Sequence, residues 1–162
     1  MLERRVETLE IRASPVGVDK MEKKIRKAKK EDLKEVVKIL MEESVMKPYY
    51  EKFTPGSAKK DVLEFFENSL YVATDGEKII GFIASHIVNS DKTKAYIDEL
   101  WLKPKYQGKG VGKMLVKFVE DMYKKKGLSK IRLTTKKNAN SYGFYKKLKY
   151  KDAELVYMEK KI

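Results

Sequence analysis

Apolar residues recur along this chain with two different periods, and the switches between them mark out the elements. From Glu31 to Val45, Leu33, Val36, Val37, Leu40 and Met41 fall at helical spacing, with Glu31 and Asp32 where a first helical turn favours acids. A second helix is predicted over Lys59 to Asn68, with Val62, Leu63 and Phe66 turned inward. Two strand-like runs, Leu70 to Thr74 and Lys78 to Val88, flank Asp75-Gly76, a strong hairpin signal. A turn at Asn89 to Lys92 leads into a third run, Lys94 to Leu102, so these three strands form an antiparallel meander. Helical spacing returns from Gly110 to Lys126, where Val111, Leu115, Phe118, Val119 and Met122 share a face and Gly127 closes the element. A strand over Ile131 to Thr135 then completes a βαβ unit, which makes its two strands parallel with a right-handed crossover. Asn138 to Leu148 reads as a last helix, with Tyr142, Tyr145 and Leu148 on one face, and Leu155 to Glu159 as a last strand. With a first strand beginning near Ile25, the order is β-α-α-β-β-β-α-β-α-β: a mixed α/β fold around one central sheet.

Composition narrows the class. The 162 residues suffice for one domain with a substantial core, assigned to residues 21–162. Residues 1–20, with Pro15 and Gly17 and no clear period, read as an N-terminal extension of open role. Cysteine is absent and His86 is the one histidine, so disulfides, thiolate chemistry and a histidine-based metal site drop out. His86 itself reads as structural. No apolar run is long enough to span a membrane and no signal-peptide pattern appears, so a cytoplasmic protein is expected. The net charge of +13 points to an anionic partner, either nucleic acid or a phosphorylated small molecule, although a Lys/Glu-rich surface of a heat-adapted protein has the same sign.

One stretch asks for an explanation beyond folding. After the strand Ile97-Asp-Glu-Leu-Trp-Leu102 and Pro104 comes Gln107-Gly108-Lys109-Gly110-Val111-Gly112, at the start of a helix. Glycine inside a helix costs roughly 1 kcal/mol against alanine. The first N–H groups of a helix have no partner within it and carry partial positive charge. Stripping side chains from that turn exposes those amides to an anion, ideally a phosphate. A tight packing turn is the plainer reading. Dinucleotide and Walker loops fit badly, because G-x-G-x-x-G is missing and Gly112-Lys113 is followed by Met114.

The pattern Q-x-x-G-x-G after such a strand resembles the pyrophosphate loop of the GNAT superfamily of N-acetyltransferases, and Gln107 is the only glutamine in the chain. Three further motifs carry the resemblance, which covers Ile25 to the C-terminus. Leu100-Trp101-Leu102 before Lys103-Pro104 is similar to the family's fourth strand. Asn138 matches the asparagine after the fifth strand. Gly143-Phe144-Tyr145 through Leu148-Lys149-Tyr150 resembles the ending F-Y-x-x-L-G-F, except that Lys149 stands where the family has glycine. The resemblance implies a GNAT fold, acetyl-CoA as co-substrate, an amine acceptor and no metal. It implies cofactor contacts at Leu100, Trp101, Leu102, Gln107, Gly108, Lys109, Gly110, Val111, Gly112, Lys113, Asn138 and Tyr145, with further charge from Lys136 or Lys137. If the fourth and fifth strands start paired and then splay, the two amides of pantetheine can fill the gap like a strand.

Acetyl transfer needs a neutral amine. A lysine-like or polyamine nitrogen with a pKa near ~10.4 needs roughly 4–5 kcal/mol to be neutral at pH 7, and an α-amino group only about 1 kcal/mol. A nearby carboxylate therefore matters most for the former. Asp98 and Glu99 are the candidate bases; simple alternation along the strand puts one on each side of the sheet. The diamine acetyltransferases of the family carry a similar acidic pair. By resemblance Tyr145 is the general acid for the departing thiolate and the Leu102 N–H stabilises the oxyanion. Tyr49, Tyr50 and Phe53, in a Pro-containing loop, either anchor that loop on the core or wall an acceptor pocket. The acceptor itself stays open between a polyamine or other small amine and a protein N-terminus or lysine, as does a homodimer. The competing reading is a CoA-sensing or nucleic-acid-binding module on the same fold, without the chemistry.

Overall fold

The computed structural model describes residues 22–162, so the extension over residues 1–20 lies outside the described residues. Five strands form one sheet in the order β1-β2-β3-β4-β5: β1 (Lys23–Lys27), β2 (Ser69–Asp75), β3 (Lys78–Ile87), β4 (Lys94–Leu102) and β5 (Lys130–Leu133). The first four are antiparallel to their neighbours, and β5 runs parallel to β4. This is the meander and the βαβ unit that the periodicity predicts. Helices α1 (Leu33–Ser44) and α2 (Pro55–Glu67) cover one face; α3 (Val111–Lys125) and α4 (Asn140–Lys147) cover the other.

Each face has its own core. Val36, Ile39 and Leu40 of α1 and Ala58 and Val62 of α2 pack on Leu70, Val72, Phe82 and Ala84. On the opposite face Val111, Leu115, Val116, Val119 and Tyr123 of α3 meet Ile25, Ile80, Ile83, Ala95 and Ile97. Such burial is the main favourable term in folding, at roughly 25 cal/mol per Å² of apolar surface. Outside the apolar cores, Arg26 makes a two-pronged ion pair with buried Asp32, at 2.6 and 3.0 Å, which ties β1 to the start of α1.

Four expectations need correction. Helix α2 starts at Pro55, not Lys59, because Thr54 caps it by accepting from the Ser57 N–H and proline suits a first helical position. Leu63 is exposed rather than inward. Helix α4 starts at Asn140, two residues after Asn138. The last predicted strand does not form: Leu155 to Glu159 pairs with nothing among the described residues, and Leu155, Val156, Tyr157 and Met158 are exposed. Strand-like composition fixes a preference, but only a neighbouring edge supplies the ladder.

The fourth strand is where the sheet's regularity breaks. In the β3–β4 ladder Ala84 faces Glu99 and Ser85 faces Ile97, which leaves Asp98 as an extra, unpaired residue. A bulge of this kind resets the alternation of side chains. Before it, Ala95 and Ile97 point to the α3 face; after it, Leu100 and Leu102 do, while Trp101 packs against the α1–α2 core. The β4–β5 pairing stops at Ile97 and Leu133, although β4 continues to Leu102.

Candidate active site

The bulge overturns the expectation that Asp98 and Glu99 lie on opposite sides of the sheet. Asp98 accepts a hydrogen bond from His86 Nδ1 at 2.9 Å, and His86 shares its face of β3 with Phe82 and Ala84 on the α1–α2 side. Glu99 bonds the indole N–H of Trp101, which belongs to the same side. Both acids therefore face α1 and α2. Burial raises the Asp98 carboxyl above its ordinary range against the opposing effect of His86. Burial also pushes Glu99 up to about 7, helped by the charges of Glu51, Asp98 and Asp61 and opposed by the indole bond. His86 is thus engaged by Asp98.

Tyr145 comes to the same place from the other face. It is buried on α4 between Phe144, with ring centroids 4.9 Å apart, and Tyr150, at 5.4 Å. Burial, then nearby Tyr49 and the Glu99 carboxylate, push its phenol well above the ordinary tyrosine range, so it holds its proton at every pH of interest. The gap that opens between β4 and β5 beyond Ile97 is what lets a carboxylate of one face and a phenol of the other converge.

The end of that gap is shaped by β4 and the glycine loop. Lys103 N–H donates to Ile80 O on β3, so the N–H of the preceding residue, Leu102, points the other way, toward the space that β5 has left. The Leu102 carbonyl accepts from Gln107 Nε2 at 3.0 Å, which folds the loop back against the strand. Gly108 and Gly110 have φ of 70° and 83°, in the left-handed region, and open space where a side chain would stand. Gly110 is the N-cap of α3 and no side chain caps that helix. The first-turn amides therefore meet no competing protein oxygen from a cap, which fits an incoming diphosphate. Gly112 differs: a Cβ there would touch Phe144 and Leu102, so its lack of a side chain serves close packing of α3 on α4 and β4. Lys109, Lys113 and Asn138 are exposed. Lys136 donates to the carbonyls of Pro48 and Tyr49, at 3.0 and 2.8 Å, and is thereby engaged away from the glycine loop.

Gly81 escapes the sequence reading, and Tyr49 is placed more sharply than the sequence allows. A Cβ at Gly81 would stand 2.3 Å from a Leu102 side-chain carbon and 2.7 Å from the Trp101 carbonyl, so only glycine lets the end of β4 lie this close to β3. A glycine inside a strand is the available signal. Tyr49, read from the sequence as either a loop anchor or one wall of an acceptor pocket, packs edge-on against Trp101 with centroids 5.0 Å apart and bonds Ser141 of α4 at 2.6 Å. Its neighbours divide: Phe53 packs on the α1–α2 core, whereas Tyr50 is exposed.

The departure at Lys149 leaves the geometry intact. Lys149 adopts φ 72°, the left-handed conformation a glycine would favour. Lys149 N–H bonds Lys146 O and Tyr150 N–H bonds Tyr145 O, which closes α4 in a Schellman motif around Tyr145.

No helix among the described residues is long and apolar enough to cross a membrane. A protein-family model described as the GNAT acetyltransferase family matches residues 26–150. The spermidine N(1)-acetyltransferase of Thermoplasma acidophilum is 38% identical over 88 residues, which are 51% of this chain and 53% of that protein, so the match spans about half of the relative's length. Among solved structures, a PaiA N-acetyltransferase from Thermoplasma acidophilum in complex with coenzyme A superposes with a TM-score of 0.65 at 28% identity, over 79% of this chain and 89% of that one. A possible acetyltransferase from Clostridium difficile 630 reaches 0.73 over 86% and 97%, and at 17% identity that likeness speaks for the fold alone. A match that runs from β1 past the end of α4, on a sheet that opens between β4 and β5, makes this chain a member of the GNAT acetyltransferase family.

Proposed function

We propose that the protein transfers the acetyl group of acetyl-CoA to a primary amine, with a polyamine as the favoured acceptor. The observation that carries this reading is Glu99. It is a part-buried carboxylate with a pKa near neutrality, surrounded by Asp98, Glu51 and Asp61 in a chain whose net charge is +13. An acidic enclave on a basic protein selects for a cation locally. A carboxyl that titrates near 7 is matched to taking a proton from an alkylammonium at neutral pH. The spermidine N(1)-acetyltransferase relative supports the same class of acceptor.

The co-substrate supplies an acetyl thioester; the rest is the work of this chain's residues. The amides at Gly108 to Lys113 receive the diphosphate, with Lys109 and Lys113 adding charge. The edge of β4 at Leu100, Trp101 and Leu102 holds the pantetheine arm, and Asn138 contacts it from the β5–α4 segment. Glu99 takes the proton of the amine, with Asp98 held in reserve by His86. The amine nitrogen bonds to the acetyl carbon, the Leu102 N–H steadies the developing oxyanion, and the carbon–sulfur bond breaks. Tyr145 gives its proton to the departing sulfur, and the second proton that the attacking nitrogen sheds passes to the phenolate so formed, which restores the phenol. The test is a screen of purified protein with acetyl-CoA against putrescine, spermidine, spermine, neutral amino acids and peptides, read as free thiol released. Thiol release with polyamines above the others is expected; release with no acceptor in the panel above background overturns the reading.

A further inference from the structure

We infer that Tyr49 is a positioning residue for the Glu99 carboxylate, acting through Trp101 from a loop that is clasped to α4. The inference rests on the reading of Glu99 given above. Past Ile97 and Leu133 no ladder bonds join β4 to β5, so the sheet no longer sets the width of the opening. Another set of contacts spans it. The Tyr49 hydroxyl meets Ser141 Oγ at 2.6 Å, and Ser141 Oγ meets Thr135 Oγ1 at 2.6 Å. Lys136 holds the loop from below through the Pro48 and Tyr49 carbonyls. The loop before α2 is thus fastened to the β5–α4 segment, across about 90 residues of sequence, where strand pairing has ended.

The same side chain reaches β4. The Tyr49 ring stands edge-on to Trp101, at an interplanar angle of 79°. Edge-to-face pairs of this kind fix ring orientation as well as adding contact. Trp101 in turn donates its indole N–H to Glu99 Oε2. A donor to the ionised carboxylate favours that form, so an indole that swings away leaves Glu99 a stronger base that is less often deprotonated. The charged and titratable groups acting on Glu99 are Glu51 from the loop before α2, Asp61 from α2 and Asp98 from β4, and Tyr145 of α4 faces its charge in turn. Glu51, Asp61 and Asp98 are carboxylates that only accept when ionised, and the Tyr49 hydroxyl is taken up by Ser141, so among the described residues these groups do not replace the lost donor.

Trp101 is the only tryptophan, so its indole N–H gives a single two-dimensional NMR signal that no other residue overlaps. The experiment follows that signal and the kcat/KM for spermidine from pH 5.5 to 9 in wild type, Tyr49→Leu, Tyr49→Phe and Trp101→Phe, with calorimetric titration of CoA alongside. In wild type the indole signal should titrate with the same midpoint as the acid limb of kcat/KM. Tyr49→Leu should move both midpoints upward by about one pH unit. Trp101→Phe should move the kinetic limb equally, and a variant carrying both Tyr49→Leu and Trp101→Phe should move it no further. CoA affinity should stay within about twofold in the two Tyr49 variants. Tyr49→Phe keeps the ring and cuts the clasp, so its midpoint should hold while the KM for spermidine rises about threefold or more. Midpoints unmoved in Tyr49→Leu but moved in Trp101→Phe overturn the inference, as does an unchanged KM in Tyr49→Phe, which also decides the matter if Tyr49→Leu does not fold. Full turnover in Glu99→Gln would instead sink the base assignment, and the indole signal would still report whether Tyr49 positions Trp101.

Discussion

Replacing Glu99 by glutamine should make the protein more stable and less active, and both effects should depend on pH in a way worked out from the structure. The carboxyl titrates at about 7 in the folded chain against 4.5 for an ordinary glutamate, chiefly because it is buried and faces Glu51, Asp98 and Asp61. Its folded value is raised, so between pH 4.5 and 7 the folded state keeps a proton that the unfolded chain has released. The stability this provides is fully present below 4.5 and is lost as pH rises through 7. At 1.36 kcal/mol per pH unit the ionised carboxylate weighs against folding by at most about 3 kcal/mol above pH 8. Glutamine has nearly the same shape, carries no charge, and offers an oxygen to the Trp101 indole. Thermal unfolding at pH 5 and pH 8.5 should therefore show similar melting temperatures for the two proteins at pH 5. At pH 8.5 the variant should melt higher by several degrees, at roughly 2–4 °C per kcal/mol for a chain of this size. Turnover with spermidine should fall by about 10²–10⁴. A gap in melting temperature that does not widen with pH would falsify the buried-carboxylate argument whatever the kinetics show.

Tyr145→Phe should leave CoA affinity unchanged and lower turnover at least about tenfold, read by calorimetry and steady-state rates, since only the proton donor is lost; equal turnover removes Tyr145 from the chemistry. Gly110→Asp puts a carboxylate and a strained φ at the open N-cap of α3, and should abolish measurable CoA heat by titration, whereas unaltered binding refutes the loop assignment. Asp32 is held below the usual carboxylate range by Arg26 and the Lys29 N–H, which together outweigh its burial. Asp32→Asn should therefore lose about 1–3 kcal/mol at pH 7 by chemical denaturation, and the gap from wild type should close as pH falls through the lowered pKa, where wild type loses the same stability. Lys149→Gly relieves a left-handed lysine at about 1–2 kcal/mol and adds roughly 0.5–1 kcal/mol of unfolded-chain entropy, so it should stabilise by up to about 1.5 kcal/mol; marked destabilisation would mean that the lysine side chain itself holds the turn.

What was legible in the sequence was whatever depends on local chemistry. Asp75-Gly76 specified the β2–β3 hairpin, Gly127 the end of α3, and Gly108 and Gly110 a turn without side chains at a helix start, where the structure has left-handed backbone. What escaped depends on how distant segments meet. The bulge at Asp98 has no sequence signature, because it is set by the register of two strands, and it reverses which side an acid faces. Gly81 drew no reading from the sequence, and its role shows only where β4 lies beside β3. Tyr49 could be placed in a loop, but not against Trp101 and Ser141, which lie 52 and 92 positions further along the chain. The final strand failed for the same reason in reverse: Leu155 to Met158 carry the preference, and no edge meets them among the described residues.

These irregularities converge on β4. A strand in unbroken pairing on both sides has no free amides and alternates its side chains strictly, so it can present neither two adjacent acids to one face nor a bare backbone edge to a ligand. β4 departs from this in three steps along five residues. The bulge at Asp98 turns the second acid to the side of the first. The loss of β5 beyond Ile97 frees the edge at Leu100 and Leu102. The missing side chain at Gly81 lets that edge remain seated on β3 when its other neighbour has gone. Each step weakens the sheet locally, and each is offset by contacts from outside it: the Ser85–Tyr123 hydrogen bond at 2.8 Å, the Gln107 cap on Leu102, and the Tyr49 clasp. The sheet could be repaired at any of the three only by giving up part of the site, which is why Gly81→Ala should impair turnover as well as folding.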